Sequence, residues 1–394
     1  MRLPDVNRDL ALILGARLLR AWAFGMSAVL IGLHLERRGL SSTAIGLVLT
    51  IGLLSAAIGG VIGAALSSRI GRRRTLALAG GLMALAGLDL AVATSPLALA
   101  LAAATGMLGA ANVDFGAYAS IEQAALAESV PPRSRNLAFA RYSLTGGLAA
   151  ALGALVAGGA TSVERGQFLF AGYATAGALT SLLAVLLSPA AESPVGGTAL
   201  SVTQVRSLAP LSALFALDGF GGGLVANSVI AFWLHVRFGA GANLLGPAFA
   251  VIALLQAASY EVSGRLANRI GLIRTMVFTH MPSNVLLALV PLAPSLPWAI
   301  GILFARFSLS QMDVPARQAF VVSIVPPSER AGAVAFTGLV RGLGQAAGPL
   351  ISGAAIQSAA LGLPFYLAGG LKLVYDGTLF LAFRQRRGEH EIIG

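Results

Sequence analysis

Long apolar stretches separated by short polar loops run through the whole chain of 394 residues. A helix needs about 20 apolar residues to cross the hydrocarbon core of a bilayer. Twelve stretches meet this requirement, at residues 9–35, 42–67, 75–94, 96–127, 136–160, 166–188, 208–236, 243–267, 274–294, 297–325, 331–357 and 360–383. The pattern therefore predicts an all-α integral membrane protein with twelve transmembrane helices.

A long polar stretch lies between the sixth and seventh of these spans, at residues 188–207. It contains Pro189, Pro194, Gly196 and Gly197, which are residues that interrupt helices. We predict three parts accordingly: a six-helix half at residues 1–188, a cytoplasmic linker at residues 189–207, and a second six-helix half at residues 208–394 that ends in a short basic tail.

The composition excludes several classes of protein. The chain is 56% hydrophobic and 11% charged, whereas a soluble globular protein carries about 25% charged residues. An ordinary soluble enzyme and a disordered chain are both excluded by these values. The chain has no cysteine, its 4 histidines lack metal-ligand spacing, and no catalytic motif is present. We therefore expect no metal, no cofactor and no enzymatic activity.

The net charge of +11 is explained by the distribution of arginine among the loops. With a cytoplasmic N-terminus, sixteen arginines fall in cytoplasmic segments and four fall on the opposite side. Basic residues concentrate on the cytoplasmic side of membrane proteins, so both termini are predicted to be cytoplasmic. The basic loops would face the anionic leaflet, and the charge therefore needs no nucleic-acid partner. We expect a multi-pass protein of the inner (plasma) membrane.

Two short motifs recur in the second part of the chain. The segments at residues 68–75 and 268–275 match at five of eight positions, at an offset of 200 residues. A second pair, offset by 195 residues, has identical spacing and consists of Gln123, Val130–Pro132 and Arg135 against Gln318, Val325–Pro327 and Arg330. The repeats predict two parallel six-helix halves of the same design, as in one large class of secondary transporters.

The loop after the second span resembles a signature of the major facilitator superfamily, Gly-x-Leu-Ala-Asp-Arg-x-Gly-Arg-Arg, and the resemblance extends over essentially the whole chain. It implies that the loops latch the two halves in one conformation. Ser68 and Asn268 replace the usual aspartate, so we expect the latch to use helix dipoles and Glu122 or Glu128 instead. The predicted latch residues are Arg69, Gly71, Arg72, Arg73, Arg135, Asn268, Arg269, Gly271, Arg274 and Arg330.

Charged residues inside the spans are the main candidates for function. A charge at mid-bilayer costs about 2.5–3.5 kcal/mol on insertion scales, yet seven acids and seven bases lie within the spans. The family resemblance implies a central cavity lined by spans 1, 4, 7 and 10. The polar candidates on these spans are Arg17, Arg20, Asn112, Asp114, Tyr118, Glu122, Asp218, Arg306, Gln311, Asp313 and Arg317.

Most of these residues allow two interpretations. Asp114 and Glu122 could exchange protons for substrate, or they could be structural partners of Arg17 and Arg20. Asp313 and Arg317 are spaced to pair within one helix.

Residues outside the expected cavity spans are assigned structural roles. Lys372 and Asp376 are four residues apart, and a local ion pair is the default interpretation. The histidines are expected to be structural as well.

The leading hypothesis is a secondary transporter that works by alternating access and exports small organic compounds in exchange for protons. An alternative is the transport of organic anions or metabolites bound by Arg17, Arg20 and Arg306. A minor alternative is a receptor or scaffold that does not transport. The expected partners are a small-molecule substrate, protons or another coupling ion, and the lipid bilayer, and a monomer suffices for this function.

Overall fold

Helices account for nearly all of the residues that the structure describes. The computed structural model of the protein describes residues 3–93, 95–110, 118, 121–122, 135–192, 202–326 and 330–384. Within these ranges every regular element is an α-helix or a short 3₁₀ turn. The prediction of an all-α protein is therefore confirmed for the described residues.

Six described helices precede the polar stretch. They are α1 (Leu3–Arg37), α2 (Ser42–Ile70), α3 (Arg72–Val92), α4 (Pro96–Ala104), α5 (Arg135–Ala157) and α6 (Val163–Val185), and a 3₁₀ turn follows at Pro189–Glu192. The side chains of Ser41, Ser95 and Ser162 accept hydrogen bonds from the first turns of α2, α4 and α6. These serines fix where the three helices begin, because they satisfy backbone donors that have no partner within the helix.

Nine described helices follow the polar stretch. They are α7 (Val202–Leu224), α8 (Asn227–Phe238), α9 (Ala242–Ile270), α10 (Leu272–Leu289), α11 (Leu296–Leu309), α12 (Asp313–Ser323), α13 (Arg330–Ala346), α14 (Gly348–Gln357) and α15 (Leu363–Phe383). A 3₁₀ turn at Val290–Leu292 extends α10.

The seventh and tenth predicted spans are interrupted near their middles, and the eleventh is interrupted at residue 347, between α13 and α14. The seventh divides at residues 225–226 between α7 and α8, and the tenth divides at residues 310–312 between α11 and α12. Pro315 lies in the first turn of α12, where proline is tolerated because its missing N–H would have no helical partner. The interruption of the tenth span therefore comes just before this proline.

Seven helical segments among the described residues are long and apolar enough to cross a membrane. They correspond to predicted spans 1, 2, 3, 6, 7, 8 and 9. Large apolar side chains on these segments are exposed, including Leu85 at 61% and Val92 at 65%. Such a surface needs an apolar environment, which a bilayer supplies. The count of twelve spans and the cytoplasmic location of both termini stay predictions.

The helices group into two compact units. The first unit comprises Met1–Val195 and Ala226–Ala253, and the second comprises Gly196–Val225 and Leu254–Gly394. The predicted halves do not coincide with these units, because α8 and the beginning of α9 group with the first unit. The division into halves at residues 189–207 stays a prediction.

The two copies of the loop motif have the same backbone geometry. Gly71 and Gly271 separate consecutive helices at φ values of 91° and 89°, which favour glycine. The backbone N–H groups of Thr75 and Thr275 donate to the carbonyl oxygens of these two glycines, at 3.2 and 3.0 Å. The matching residues of the repeat thus form matching turns, one in each unit.

Glycines bring α1 and α5 into close contact in the first unit. A side chain at Gly25 would overlap the backbone of Ala150, and a side chain at Gly153 would overlap the carbonyl oxygen of Trp22. Contacts of this kind, in which small residues let backbones approach closely, are typical of helix packing in membranes.

The second unit repeats this contact between α7 and the pair α13 and α14. A side chain at Gly223 would overlap the carbonyl oxygen of Gln345, and one at Gly348 would overlap the backbone at Gly223 and Leu224. The first helix of each predicted half is therefore packed against the fifth by glycine contacts.

Replacing Gly153 by alanine is expected to destabilise the protein, because the added methyl group cannot fit against the carbonyl of Trp22. Overpacking of this kind costs about 1–3 kcal/mol. The matched control is Gly81→Ala in α3, where a methyl group would meet nothing within 4 Å. The measurement is the thermal unfolding midpoint in detergent. Equal midpoints for the two variants would show that the helix contact tolerates separation.

Candidate functional site

A buried arginine–carboxylate pair lies in the first unit. Nη1 and Nη2 of Arg20 on α1 donate to Oε1 and Oε2 of Glu122, each at 2.7 Å. The hydroxyl of Tyr142 on α5 donates to Oε2 of Glu122 at 2.8 Å. Arg20 is 0% exposed and Glu122 is 1% exposed. The planar guanidinium matches both carboxylate oxygens, which is the strongest geometry for this kind of pair.

Aromatic rings cover the cations of this pair. The guanidinium carbon of Arg20 lies 4.1 Å from the ring centroid of Tyr118, and that of Arg17 lies 4.6 Å from the ring centroid of Tyr142. We call Arg17, Arg20, Tyr118, Glu122 and Tyr142 the Arg20 cluster. Since Glu122 takes both ends of the Arg20 fork, the pair is neutral and holds α1, α5 and the predicted fourth span together.

The second unit contains a larger group of charges around Asp218 on α7. Nζ of Lys372 on α15 lies 2.5 Å from Oδ1 of Asp218. Nη2 of Arg341 on α13 lies 3.1 Å from Oδ2, and Nη1 of Arg317 on α12 lies 3.4 Å from the same atom. Arg317 also donates to Asp313 at 2.8 Å. Asp218 is 1% exposed, so one buried carboxylate serves three cations.

A histidine and a second carboxylate extend this group. Nδ1 of His280 on α10 lies 2.9 Å from Oδ1 of Asp376 on α15. Nδ2 of Asn284 donates to Oδ2 of Asp376 at 2.9 Å. The other ring nitrogen of His280, Nε2, lies 3.8 Å from Oδ1 of Asp218. The imidazole therefore lies between two buried carboxylates.

Arg306 on α11 is a buried cation that forms no ion pair with a carboxylate among the residues that the structure describes. It is 6% exposed, and its guanidinium carbon lies 4.3 Å from the ring centroid of Phe307. Within the described residues, its Nε and Nη1 atoms have no hydrogen-bond partner. The charges of Asp218 and Lys372 both act on it, so Arg306 belongs to the same electrostatic group.

Positive charge exceeds negative charge in this group. We define the Asp218 cluster by the charged residues just described, together with the imidazole: Asp218, His280, Arg306, Asp313, Arg317, Arg341, Lys372 and Asp376. Among these described side chains, four cations face three carboxylates, before any charge on the imidazole. A buried surplus of this kind is chemically suited to hold an anion.

The two clusters occupy corresponding positions of the repeat with opposite signs. Asp218 follows Arg20 by 198 residues, Arg317 follows Glu122 by 195, and Arg341 follows Tyr142 by 199. These offsets match those of the loop motifs. In the first unit the first helix supplies the cation, Arg20, and the fourth span supplies the carboxylate, Glu122. In the second unit the first helix supplies the carboxylate, Asp218, and the fourth span supplies the cation, Arg317.

Some of the predicted site residues have no described position. Asn112 and Asp114 lie outside the described residues. Gln311 lies in the interruption between α11 and α12. The prediction for Asn112 and Asp114 rests on the sequence alone, whereas Gln311 is a described, half-buried residue.

The latch loops contain one acidic contact that the sequence did not indicate. The carboxylate of Glu192 in the 3₁₀ turn lies against Gly71, whereas the predicted substitute Glu122 is bound to Arg20. Nη2 of Arg73 donates to the carbonyl of Val185 at 2.6 Å. The remaining described latch side chains differ in burial: Arg72 is buried, and Arg69, Arg269 and Arg274 are exposed. The side chains of Arg135, Asn268, Arg330 and Glu128 lie outside the described part of the chain.

The default interpretation of a local pair between Lys372 and Asp376 requires a correction. Lys372 binds Asp218 on α7, and Asp376 binds His280 on α10. The reason is that α15 packs against both α7 and α10, so partners on other helices are nearer than the one on the same helix. The sequence did contain one indication that Lys372 and Asp376 matter: both are charged residues inside a predicted span, where a charge is costly.

The two clusters predict opposite effects of removing an arginine. Arg20→Met leaves Glu122 as an unpaired buried carboxylate, and breaking such a pair costs about 3–5 kcal/mol. Arg306→Met removes a buried cation that has no carboxylate of its own, so the stability of the empty protein is expected to stay equal or to rise. Thermal unfolding of both variants in detergent, with the exposed Arg237→Met as a control, measures the difference.

A midpoint for Arg306→Met clearly below that of the wild type would contradict this interpretation. It would mean that Arg306 stabilises the fold instead of being held ready for a ligand.

Comparison with solved structures identifies the fold. The crystal structure of the human organic anion transporter MFSD10 (TETRAN) superposes with a TM-score of 0.67 at 19% identity, covering 95% of this chain and 100% of that chain. The crystal structure of a D-xylose-proton symporter gives a TM-score of 0.74 at 15% identity, covering 95% of this chain and 97% of that chain. These similarities show a shared fold.

Comparison of sequences identifies the family. The chain is 24% identical over 422 residues to the Saccharomyces cerevisiae protein named "Uncharacterized membrane protein YJR124C", covering 96% of this chain and 94% of the yeast protein. The sequence pattern described as Major Facilitator Superfamily matches residues 13–311 and 213–393. The resemblance predicted from the loop motifs is thereby confirmed, and the chain belongs to the major facilitator superfamily.

Proposed function

We propose that this protein is a secondary transporter that carries small organic anions by alternating access. Members of its family are transporters and not enzymes, and the fold supports secondary transport. The observation that supports the anionic substrate is Arg306, which is 6% exposed and has Nε and Nη1 without hydrogen-bond partners among the described residues. A buried cation without a carboxylate is unfavourable unless a ligand completes it.

The charge balance of the Asp218 cluster indicates how much negative charge a substrate brings. With a neutral imidazole, four cations and three carboxylates leave one positive charge. One negative charge on the substrate neutralises the cluster. The proposed substrate class is therefore an organic monoanion, such as a carboxylate, whose two oxygens fit the guanidinium fork of Arg306.

The apolar surroundings of the arginines favour an organic body on this anion. Phe307 lies against Arg306, and the ring centroid of Phe215 lies 5.7 Å from the guanidinium carbon of Arg317. These rings make the surroundings of the two guanidinium groups apolar, which suits an organic anion better than a strongly hydrated inorganic one. The human structural neighbour is named an organic anion transporter, which agrees with this class.

The sequence-based site for an anion changes in one respect. Arg20 donates both ends of its fork to Glu122, so the proposal places the anion on Arg306 in the second unit. Export in exchange for protons with Asp114 as the carrier stays a sequence-based prediction. A monomer in the inner membrane is part of the same proposal.

Substitution of Arg306 is expected to weaken anion binding without unfolding the protein. A hydrogen bond to a charged group contributes about 1.5–3 kcal/mol, so Arg306→Gln should weaken carboxylate binding by about 10–100-fold. Arg306→Lys keeps the charge but loses the planar fork, and it should restore only part of the affinity. The measurements are ligand-induced thermal shifts for acetate, hexanoate and benzoate, and uptake of the strongest binder into proteoliposomes.

Benzamide, which has the shape of benzoate without its charge, is the matched ligand control. Arg237→Gln on α8 is the matched protein control, because Arg237 is an exposed cation outside the cluster. Equal shifts with benzamide and benzoate, or unchanged carboxylate binding by Arg306→Gln, would contradict the proposal.

A further inference from the structure

His280 lies between two buried carboxylates, which is more than a purely structural role requires. It is 4% exposed and lies between the carboxylates of Asp376 and Asp218. Asp376 is held in place from its other oxygen by Asn284, at 2.9 Å. One ring nitrogen is therefore fixed by a short contact, while Nε2 faces Asp218 at 3.8 Å.

The two contacts differ in what they require of the imidazole. A neutral ring has one N–H, and a hydrogen on Nδ1 satisfies the 2.9 Å contact with Asp376. Nε2 is then an acceptor that faces the acceptor oxygen Oδ1 of Asp218. A second proton on Nε2 turns this contact into a charge-assisted hydrogen bond.

We infer that His280 is the proton-binding residue of the anion site and that it couples the binding of a proton to the binding of the substrate anion. The inference rests on the proposed function, because it concerns the same site. The proton comes from a hydronium ion when alternating access exposes the buried site to water: the N–H bond forms at Nε2 as one O–H bond of the hydronium breaks, and a water molecule leaves.

The mechanism of coupling follows from the shared carboxylate. Lys372, Arg341 and Arg317 all bind Asp218 in the structure. Protonated His280 adds a fourth donor to this carboxylate, so one of the cations can turn to a substrate. The added proton also raises the surplus of the Asp218 cluster from one positive charge to two, which strengthens the attraction for an anion, and the bound monoanion returns the surplus to one.

Other charged and titratable groups surround His280 on its neighbouring helices. Helix α15 contributes Asp376, Lys372 and Tyr375, whose ring lies edge-on to the imidazole with centroids 6.0 Å apart. Asp218 comes from α7 and brings with it the cations already described. Apart from the carboxylates of Asp218 and Asp376, these groups are basic side chains or a hydroxyl.

The proposed coupling fixes the direction in which pH changes the affinity for the anion. If the anion and the proton bind together, each raises the affinity for the other by the same factor. The affinity for the anion is then higher at low pH and falls as the pH rises. Binding of one anion should therefore take up about one proton from the medium.

The test uses the full-length protein in detergent with benzoate and hexanoate as probes. Dissociation constants are measured from pH 5.5 to 8.5 for the wild type, His280→Gln and the control His235→Gln. His235 is a partly exposed histidine on α8 that binds Glu36 at 3.0 Å, outside the cluster. We expect a sloping profile for the wild type and His235→Gln, and a flat profile for His280→Gln.

A second measurement needs no variant. When the probe is added to the weakly buffered wild-type protein, the protein should take up protons from the medium, which an indicator dye reports. Addition of benzamide should cause no proton uptake. Binding of the probe without proton uptake, or a sloping profile in His280→Gln, would overturn the inference and leave the proposed function standing. Absence of carboxylate binding by the wild type, or binding that Arg306→Gln does not weaken, would overturn the proposed function as well.

Discussion

The attraction of several cations for one buried carboxylate holds the second unit together. Asp218 lies at the point where α7, α12, α13 and α15 meet, and each of the other three helices contributes a cation to it. Separately, each of these charges would be costly in a membrane. Together they form a network of ion pairs centred on Asp218. Arg306 belongs to the same cluster, but its Nε and Nη1 atoms have no hydrogen-bond partner among the described residues.

In the first unit the buried charges are neutralised by a one-to-one pair instead of a shared carboxylate. Arg20 and Glu122 match one to one, with Tyr142 completing the carboxylate. The fork of Arg20 and the carboxylate of Glu122 satisfy each other, so this pair fixes helices and has little left to offer a ligand, although the hydroxyl of Tyr118 beside it has no hydrogen-bond partner among the described residues. The contrast between a closed pair and a shared carboxylate is the physical basis for placing the ligand in the second unit. Close glycine contacts support both arrangements from neighbouring turns of the same helices.

Much of the fold and part of the site could be predicted from the sequence. The apolar pattern predicts where helices lie, and the repeated motif predicts matching turns at Gly71 and Gly271. The pattern also identifies which charges lie inside spans, since a charge among apolar residues is visible without a structure.

The partners of those charges could not be predicted. Spacing along one helix is a local rule, and it suggested that Lys372 pairs with Asp376, whereas packing of α15 against α7 and α10 provides other partners for both. The role of His280 could not be predicted either, because the function of a single histidine in an apolar helix depends on the groups that face it from other helices. The interruption at residues 225–226 was likewise hidden within a continuous apolar stretch.

The exchange of signs between the two clusters constrains the history of the molecule. Two halves that share motifs at nearly one offset descend most simply from a single duplicated six-helix segment. In that ancestor, the positions of Arg20 and Asp218 were one position, and those of Glu122 and Arg317 were another. Reversing only one charge would have left two like charges buried together, so the reversal had to pass through uncharged residues or through a pair relieved by a third group.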